Sequence, residues 1–241
     1  MGSPMYQVAT LQSLTRGDFY SNATIDQLLE HGDTGLGTFA AVDGEMIIID
    51  GSCYRARADG SVALAKGTDS TPFAVATFLN KAASIAVKAG SNMQQLLEQL
   101  EQAAENAGVN NIYACRIDGS FKAVYARSEM KQEQQPYKTF AQVLATDQRE
   151  FHFNNVSGSL IGVYFPPYMN GLNMPGWHIH FISDDRTMGG HVFDIAVDQA
   201  AGWMGKTDGF SMTIPEGEYF QKLNLTEVSK EEIASVEKAA K

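Results

Sequence analysis

Cysteine is nearly absent: Cys53 and Cys115 are the only two in 241 residues, and both stand in apolar stretches far apart. That excludes a disulfide-stapled scaffold and a cysteine-ligated zinc module, leaving two buried thiols as the expectation. No apolar run approaches the roughly 20 residues that a membrane-spanning helix needs. Basic residues are also few. Eighteen Lys and Arg against 28 Asp and Glu give a formal net charge of −10, which argues against nucleic acid or an anionic membrane as partner. An anionic substrate would therefore need local positive charge at its site. Repeats and low-complexity segments are lacking too. Residues 1 to 5 read as a vector-derived start, and Gln7, Gln12, Arg16 and Asp18 follow where a signal peptide would be apolar. Cytoplasmic is the expectation, with a secreted form left open.

What the chain does hold is a concentration of histidine. Three of the five occur in Gly176-Trp177-His178-Ile179-His180-Phe181 and Gly189-Gly190-His191-Val192-Phe193, among aromatic and β-branched residues that favour strands. Side chains at i and i+2 of a strand leave one face about 6.6 Å apart, so His178 and His180 can converge on one ion. The polar, glycine-ended segment 183–190 reads as a loop folding the next strand back, which brings His191 within reach. Three neutral imidazoles suit zinc and other divalent first-row metals, and a catalytic ion keeps further positions for water, carboxylate or substrate. His31 and His152 lack such company and read as a helix-end residue and an ordinary strand residue.

The remaining pattern is that of an α+β protein. Capping boxes open helices at 24–31 (Thr24, Gln27) and 91–107 (Ser91, Gln94), and a further helix is expected over 139–147. A third box at Ser229 opens a C-terminal helix. Between 37 and 64, apolar runs are punctuated by Asp43-Gly44, Asp50-Gly51 and Asp59-Gly60, a hairpin signal because both central residues then take positive φ. An antiparallel meander follows. Asp118-Gly119 predicts one more hairpin, with strands over 111–116 and 121–127. Further strands are expected over 72–79, 160–165 and 211–214. Asn154-Asn155 and Gly158 mark the domain change: an N-terminal mixed-sheet domain with peripheral helices over 1–155, then a metal-binding β domain over 156–241, small, barrel-like and ending in a helical tail.

These residues resemble the bacterial α-acetolactate decarboxylases. The resemblance rests on GWHIHFISDDRTMGGHVFD, on HGDTGLGTFAAVDGEMIIIDG near the start, on YAR ahead of Gln135-Pro136-Tyr137, on SGSLIGVYFPPYMNGLNMPG and on IPEGEYF, in that order along nearly the whole chain. It implies zinc held by His178, His180 and His191, active-site glutamates at Glu45 and Glu218, an arginine at Arg127, a threonine at Thr38, and a homodimer of two-domain subunits. Glu216 stands two residues from Glu218 as its alternative. Position alone leaves Glu45 open between an exposed turn flank and an inward-pointing acid, and Arg127 open between a surface cation and a site residue.

The activity so implied is conversion of 2-acetolactate to acetoin and carbon dioxide. The metal would chelate the hydroxyl and ketone oxygens, Glu218 would protonate the enediolate, Glu45 would orient the bound oxygens or ligate the metal, and Arg127 would orient the carboxylate. Two other readings are a cupin-like metal-dependent oxygenase or isomerase, and a non-enzymatic small-ligand sensor with a structural metal. Against the cupin pattern, the place of its glutamate ligand holds Asp184 and Asp185 inside an apparent loop.

Overall fold

A computed structural model describes residues 3–225. In chain order its elements are β1 (Met5–Val8), α1 (Leu11–Thr15), β2 (Ala23–Thr24), α2 (Ile25–Leu29), β3 (Thr34–Thr38), β4 (Glu45–Ile49), β5 (Ser52–Ala56), β6 (Val62–Leu64), β7 (Ser70–Thr71), β8 (Phe73–Thr77), β9 (Ala83–Val87), α3 (Met93–Ala107), β10 (Tyr113–Glu129), α4 (Phe140–Thr146), β11 (Gln148–Phe165), β12 (Gly176–Ser183), β13 (Gly189–Lys206), β14 (Phe210–Thr213) and α5 (Glu218–Lys222). The expected helix from Ser229 lies outside the described residues.

Capping chemistry accounts for the helix starts. Thr24 and Gln27 form the expected box at α2, and Thr139 and Gln142 form one at α4. At α3 the box is displaced by one residue, to Asn92 and Gln95. Ser91 is occupied elsewhere: its carbonyl accepts the Val197 amide and its hydroxyl accepts from Gln99, so the next residue becomes the cap.

The meander is present as β3-β4-β5-β6, antiparallel throughout. Only one of its three Asp-Gly turns has both residues at positive φ, Asp50 at 51° and Gly51 at 72°. Around Asp43-Gly44 the chain leaves β3 early, through Ala41 and Val42 at positive φ. Three further strands complete a seven-stranded mixed sheet ordered β14-β1-β8-β3-β4-β5-β6, in which β1 and β14 run parallel.

The second sheet is ordered β10-β11-β12-β13-β9, and β10 pairs also with β13. Strands β10, β11, β12 and β13 thus close into a ring, which removes their open edges where they pair. This corrects two expectations. Asp118-Gly119 is no turn; it lies in the middle of β10, opposite Ser159-Gly158 and Ala201-Ala200. Gly119 is glycine because the ring is tight there: a Cβ would come within 2.2 Å of the Gln199 carbonyl oxygen. The break expected between 155 and 156 falls inside β11, where Asn155 takes a φ of 51° without ending the strand. The sheets also interleave along the chain, since β9 and β10 precede that point while β14 returns to the first sheet.

Period-two alternation decides which side chains meet between the sheets. On β4, Met46 and Ile48 pack with Ile25 and Leu28 of α2, whereas Ile47 and Ile49 face the other way, onto Ile161 and Ile182 of the second sheet. Glu45 shares the latter face. On β12, Ile179 and Phe181 join the cluster that packs α3 against the ring, which leaves His178, His180 and Ile182 facing the first sheet. Both sequence patterns therefore aim their polar residues at the same inter-sheet space.

Candidate metal centre

The histidine hairpin forms as expected, with His180 and His191 directly paired across β12 and β13. Its turn is tied by its own polar groups: Asp185 accepts hydrogen bonds from Ser183, from the Thr187 amide and from the Thr187 hydroxyl. Those bonds hold the Asp185 carboxyl below the usual carboxylate range. The acid that a cupin would use as a ligand is thus committed to the turn. Gly190 lets β13 approach β10, since a Cβ there would lie 2.4 Å from the Arg127 carbonyl oxygen.

The three rings converge. His178 Nε2 lies 3.0 Å from His180 Nε2 and 2.9 Å from His191 Nδ1. His180 Nδ1 is 2.8 Å from the Met46 carbonyl oxygen, so a neutral His180 donates there and keeps a lone pair on Nε2. Burial first, and then the positive charge of Arg127, push His178 down to about 3. Burial also carries His180 well below the ordinary imidazole value. His178 and His180 are therefore neutral, and one Nε2 proton on His178 cannot serve two good hydrogen bonds at once. A cation accepting all three lone pairs resolves the conflict. Nitrogens bound tetrahedrally to one zinc at about 2.1 Å stand about 3.4 Å apart, between the 2.9 and 3.0 Å of the two His178 pairs and the 4.8 Å within which all three nitrogens lie. The donor set fits the metal.

A carboxylate completes the cluster. Glu45 is 5% exposed, and its Oε2 lies 3.5 Å from His180 Nε2. Thr38 is paired with Glu45 across β3 and β4, and its hydroxyl donates to the Gly44 carbonyl at 2.9 Å, which braces the turn from which Glu45 enters the strand.

Arg127 lies opposite His191 on β10 and is 2% exposed. Its guanidinium is held from several sides: Nε is 3.2 Å from Glu129 Oε1, Nη1 is 3.4 Å from Gln148 Oε1, and the Phe193 ring lies 5.1 Å from Cζ. A buried cation so fixed supplies the local positive charge that the acidic chain otherwise lacks. Glu129 escaped the sequence reading, although its i+2 position puts it on the face of Arg127.

Glu218 is not brought to this cluster, which corrects its assignment. It opens α5 at the surface, where its side chain is 84% exposed and pairs with Lys222 one turn on. It lines a separate concavity of about 590 Å³ together with Asp18, Tyr20 and Tyr219. Glu218→Gln should accordingly leave the rate within about twofold of wild type, in the ±0.5 kcal/mol range of surface substitutions; steady-state turnover checks this. Glu216 is exposed as well.

Beside that concavity Asp18 is 2% exposed, and burial raises its carboxyl above the usual range despite hydrogen bonds from Asn22 and Tyr20. A raised folded pKa means that the folded state carries a penalty once pH exceeds the unfolded value near 3.9, growing until the folded pKa is passed. Asp18→Asn should therefore raise the thermal midpoint at pH 7, and the gain should fade as pH falls below about 4. Melting curves at pH 7 and pH 3.5 test the sign.

A narrow cavity of about 30 Å³ opens onto the cluster, lined by Thr38, Glu45, Arg127, His178 and His191, and on its other side by Leu11, Leu14, Phe73 and Phe140. Helix α1, which brings the two leucines, was also missed. Its signal was short: Thr10 as a cap, accepting the Ser13 amide, and leucines three apart.

A sequence model of the alpha-acetolactate decarboxylase family matches residues 5–227. The chain is 35% identical over 234 residues to the alpha-acetolactate decarboxylase of Methanosarcina mazei, covering 97% of this chain and 80% of that one. It is 37% identical to that of Klebsiella aerogenes, covering 92% and 84%. The crystal structure of alpha-acetolactate decarboxylase from Bacillus subtilis superposes with a TM-score of 0.93 at 31% identity, over 98% of this chain and all of that one.

Proposed function

The chain belongs to the alpha-acetolactate decarboxylase family and is a carboxy-lyase, and we propose that it converts 2-acetolactate to acetoin and carbon dioxide with zinc held by His178, His180 and His191. The observation that carries this reading is the convergence of three imidazole nitrogens beside a buried carboxylate and a buried guanidinium. Zinc bound there would supply a Lewis acid for the hydroxyl and ketone oxygens of the substrate.

The chain's own residues do the rest. Arg127 receives the substrate carboxylate and orients it. Because pairing with that group stabilises the ground state, this contributes to binding and alignment more than to the barrier. When the bond to the carboxylate carbon breaks, carbon dioxide departs and the electron pair remains on the former α-carbon as an enediolate. Glu45 delivers the proton to that carbon from one face and is recharged from water, so the reaction consumes one proton overall. Thr38 keeps Glu45 in register through the Gly44 turn. Leu11, Leu14 and Phe140 exclude bulk water, which would otherwise protonate the enediolate from either side.

Incubating the purified protein with racemic 2-acetolactate, while following acetoin and carbon dioxide with and without a chelator, tests the reading. Product that forms only without chelator, and returns on adding zinc, supports it. Turnover indifferent to the chelator would overturn the metal's role. We also propose a homodimer acting in the cytoplasm. The exposed edge strand β6, where Leu64 is 64% exposed, supports a subunit contact.

A further inference from the structure

Glu129 is a buried acid with no part in the steps proposed above. It is 1% exposed, and neither of its carboxylate oxygens accepts a hydrogen bond from the described residues. Burying a carboxylate without donors is costly unless an opposite charge offsets it. The Arg127 guanidinium does so, with Nε 3.2 Å from Glu129 Oε1. Stability alone is a weak reason for such a pair, because replacing a buried ion pair by apolar side chains of similar volume is often neutral or favourable. Its placement says more. Ser128, between the two, donates to the Ala56 carbonyl at 2.7 Å, and Ala56 is paired with Glu45 across β5 and β4. The backbone that carries Arg127 and Glu129 is thus tied to the sheet that carries Glu45.

A guanidinium is planar, with its donors in a fixed fork. Phe193 lies 5.1 Å from Cζ, and the Glu129 contact at Nε sets the roll of the plane, so together they set where the two Nη groups point. Arg127 lines the cavity at the metal centre, whereas Glu129 does not. Glu129 lines a different concavity of about 250 Å³, with Arg57, Lys131 and Arg149. Its route to the reacting atoms is therefore through Arg127. Resting on the function proposed above, we infer that Glu129 is a positioning residue: it holds Arg127 Nε and so fixes the direction from which the guanidinium meets the substrate carboxylate.

The test measures kcat and KM for 2-acetolactate, product inhibition by acetoin, and metal content by elemental analysis, in wild type, Glu129→Ala and Glu129→Gln. In Glu129→Ala the guanidinium loses its anchor, and KM should rise by about 10²-fold, the effect expected from a misplacement of about 1 Å. The fall in kcat should be much smaller. Acetoin has no carboxylate, so its inhibition constant should stay within about twofold, the range of substitutions away from a contact, and metal content should be unchanged. Glu129→Gln, whose amide oxygen can still accept from Nε, should recover most of the loss in KM. A merely structural pair predicts instead that KM, acetoin inhibition and metal content worsen together. Should Glu129→Ala fail to fold, Glu129→Asp, which keeps the charge but draws it back by one methylene, should raise KM by a smaller factor with acetoin inhibition intact. A KM unchanged or lowered in the folded variants, no recovery in Glu129→Gln, or a parallel loss of acetoin binding would overturn the inference. Arg127→Lys with a wild-type KM, or no carbon dioxide from wild type, would overturn the function reading instead, and the inference with it.

Discussion

Replacing His180 by alanine should empty the centre of metal and reduce turnover to background. His180 is fully buried, and its Nε2 faces both His178 and Glu45 while Nδ1 is anchored on the Met46 carbonyl. Loss of an outer-shell partner alone typically costs 10- to 100-fold in affinity; loss of the ligand costs more and leaves two imidazoles with no fixed third direction. The Met46 carbonyl is also left without its side-chain donor, at about 1–3 kcal/mol. Some stability will go too. Metal content by elemental analysis, turnover, and the thermal midpoint on one preparation separate these effects. Full metal content in a folded variant would overturn the ligand assignment.

The three-histidine centre was legible in the sequence because its determinants are local. The i, i+2 spacing fixes one face of β12, and a short polar loop fixes the partner strand. Glu45 was legible only as an alternative. Its direction depends on Ile47 and Ile49 packing onto Ile161 and Ile182, more than a hundred residues away. Glu218 failed for the converse reason: a motif near the chain end gave its neighbourhood, but nothing local said that its helix would sit on the surface. Asp118-Gly119 misled because a glycine needed for close approach of three strands looks, in one dimension, like a glycine needed for a turn. Ring closure by β10 and β13 is a long-range pairing, and no window of residues contains it. The same holds for the apolar side of the cavity, since Leu11, Phe73 and Phe140 are brought together only by the packing of α1 against α4.

Glu45→Gln should retain metal and lose turnover by roughly 10²–10⁴, the range expected when a positioned acid is removed. The substitution is close to isosteric, so the 3.5 Å approach to His180 can persist, and the amide can still orient a bound oxygen. What it cannot do is give up a proton to carbon. The loss should therefore fall on kcat, with KM little altered, because the missing interaction belongs to the protonation step and not to binding. Handedness provides the sharper test. With the placed acid gone, water reaching the enediolate has no preferred face, and the residual acetoin should approach a racemate. If Glu45 acts chiefly as a fourth ligand, the outcome differs in kind: metal affinity falls, added zinc recovers part of the rate, and the product keeps its handedness. A variant with normal rate and handedness would exclude Glu45 from both roles and, since Glu45 is the one carboxylate among the described residues that line the cavity, would move the proton donor outside that lining.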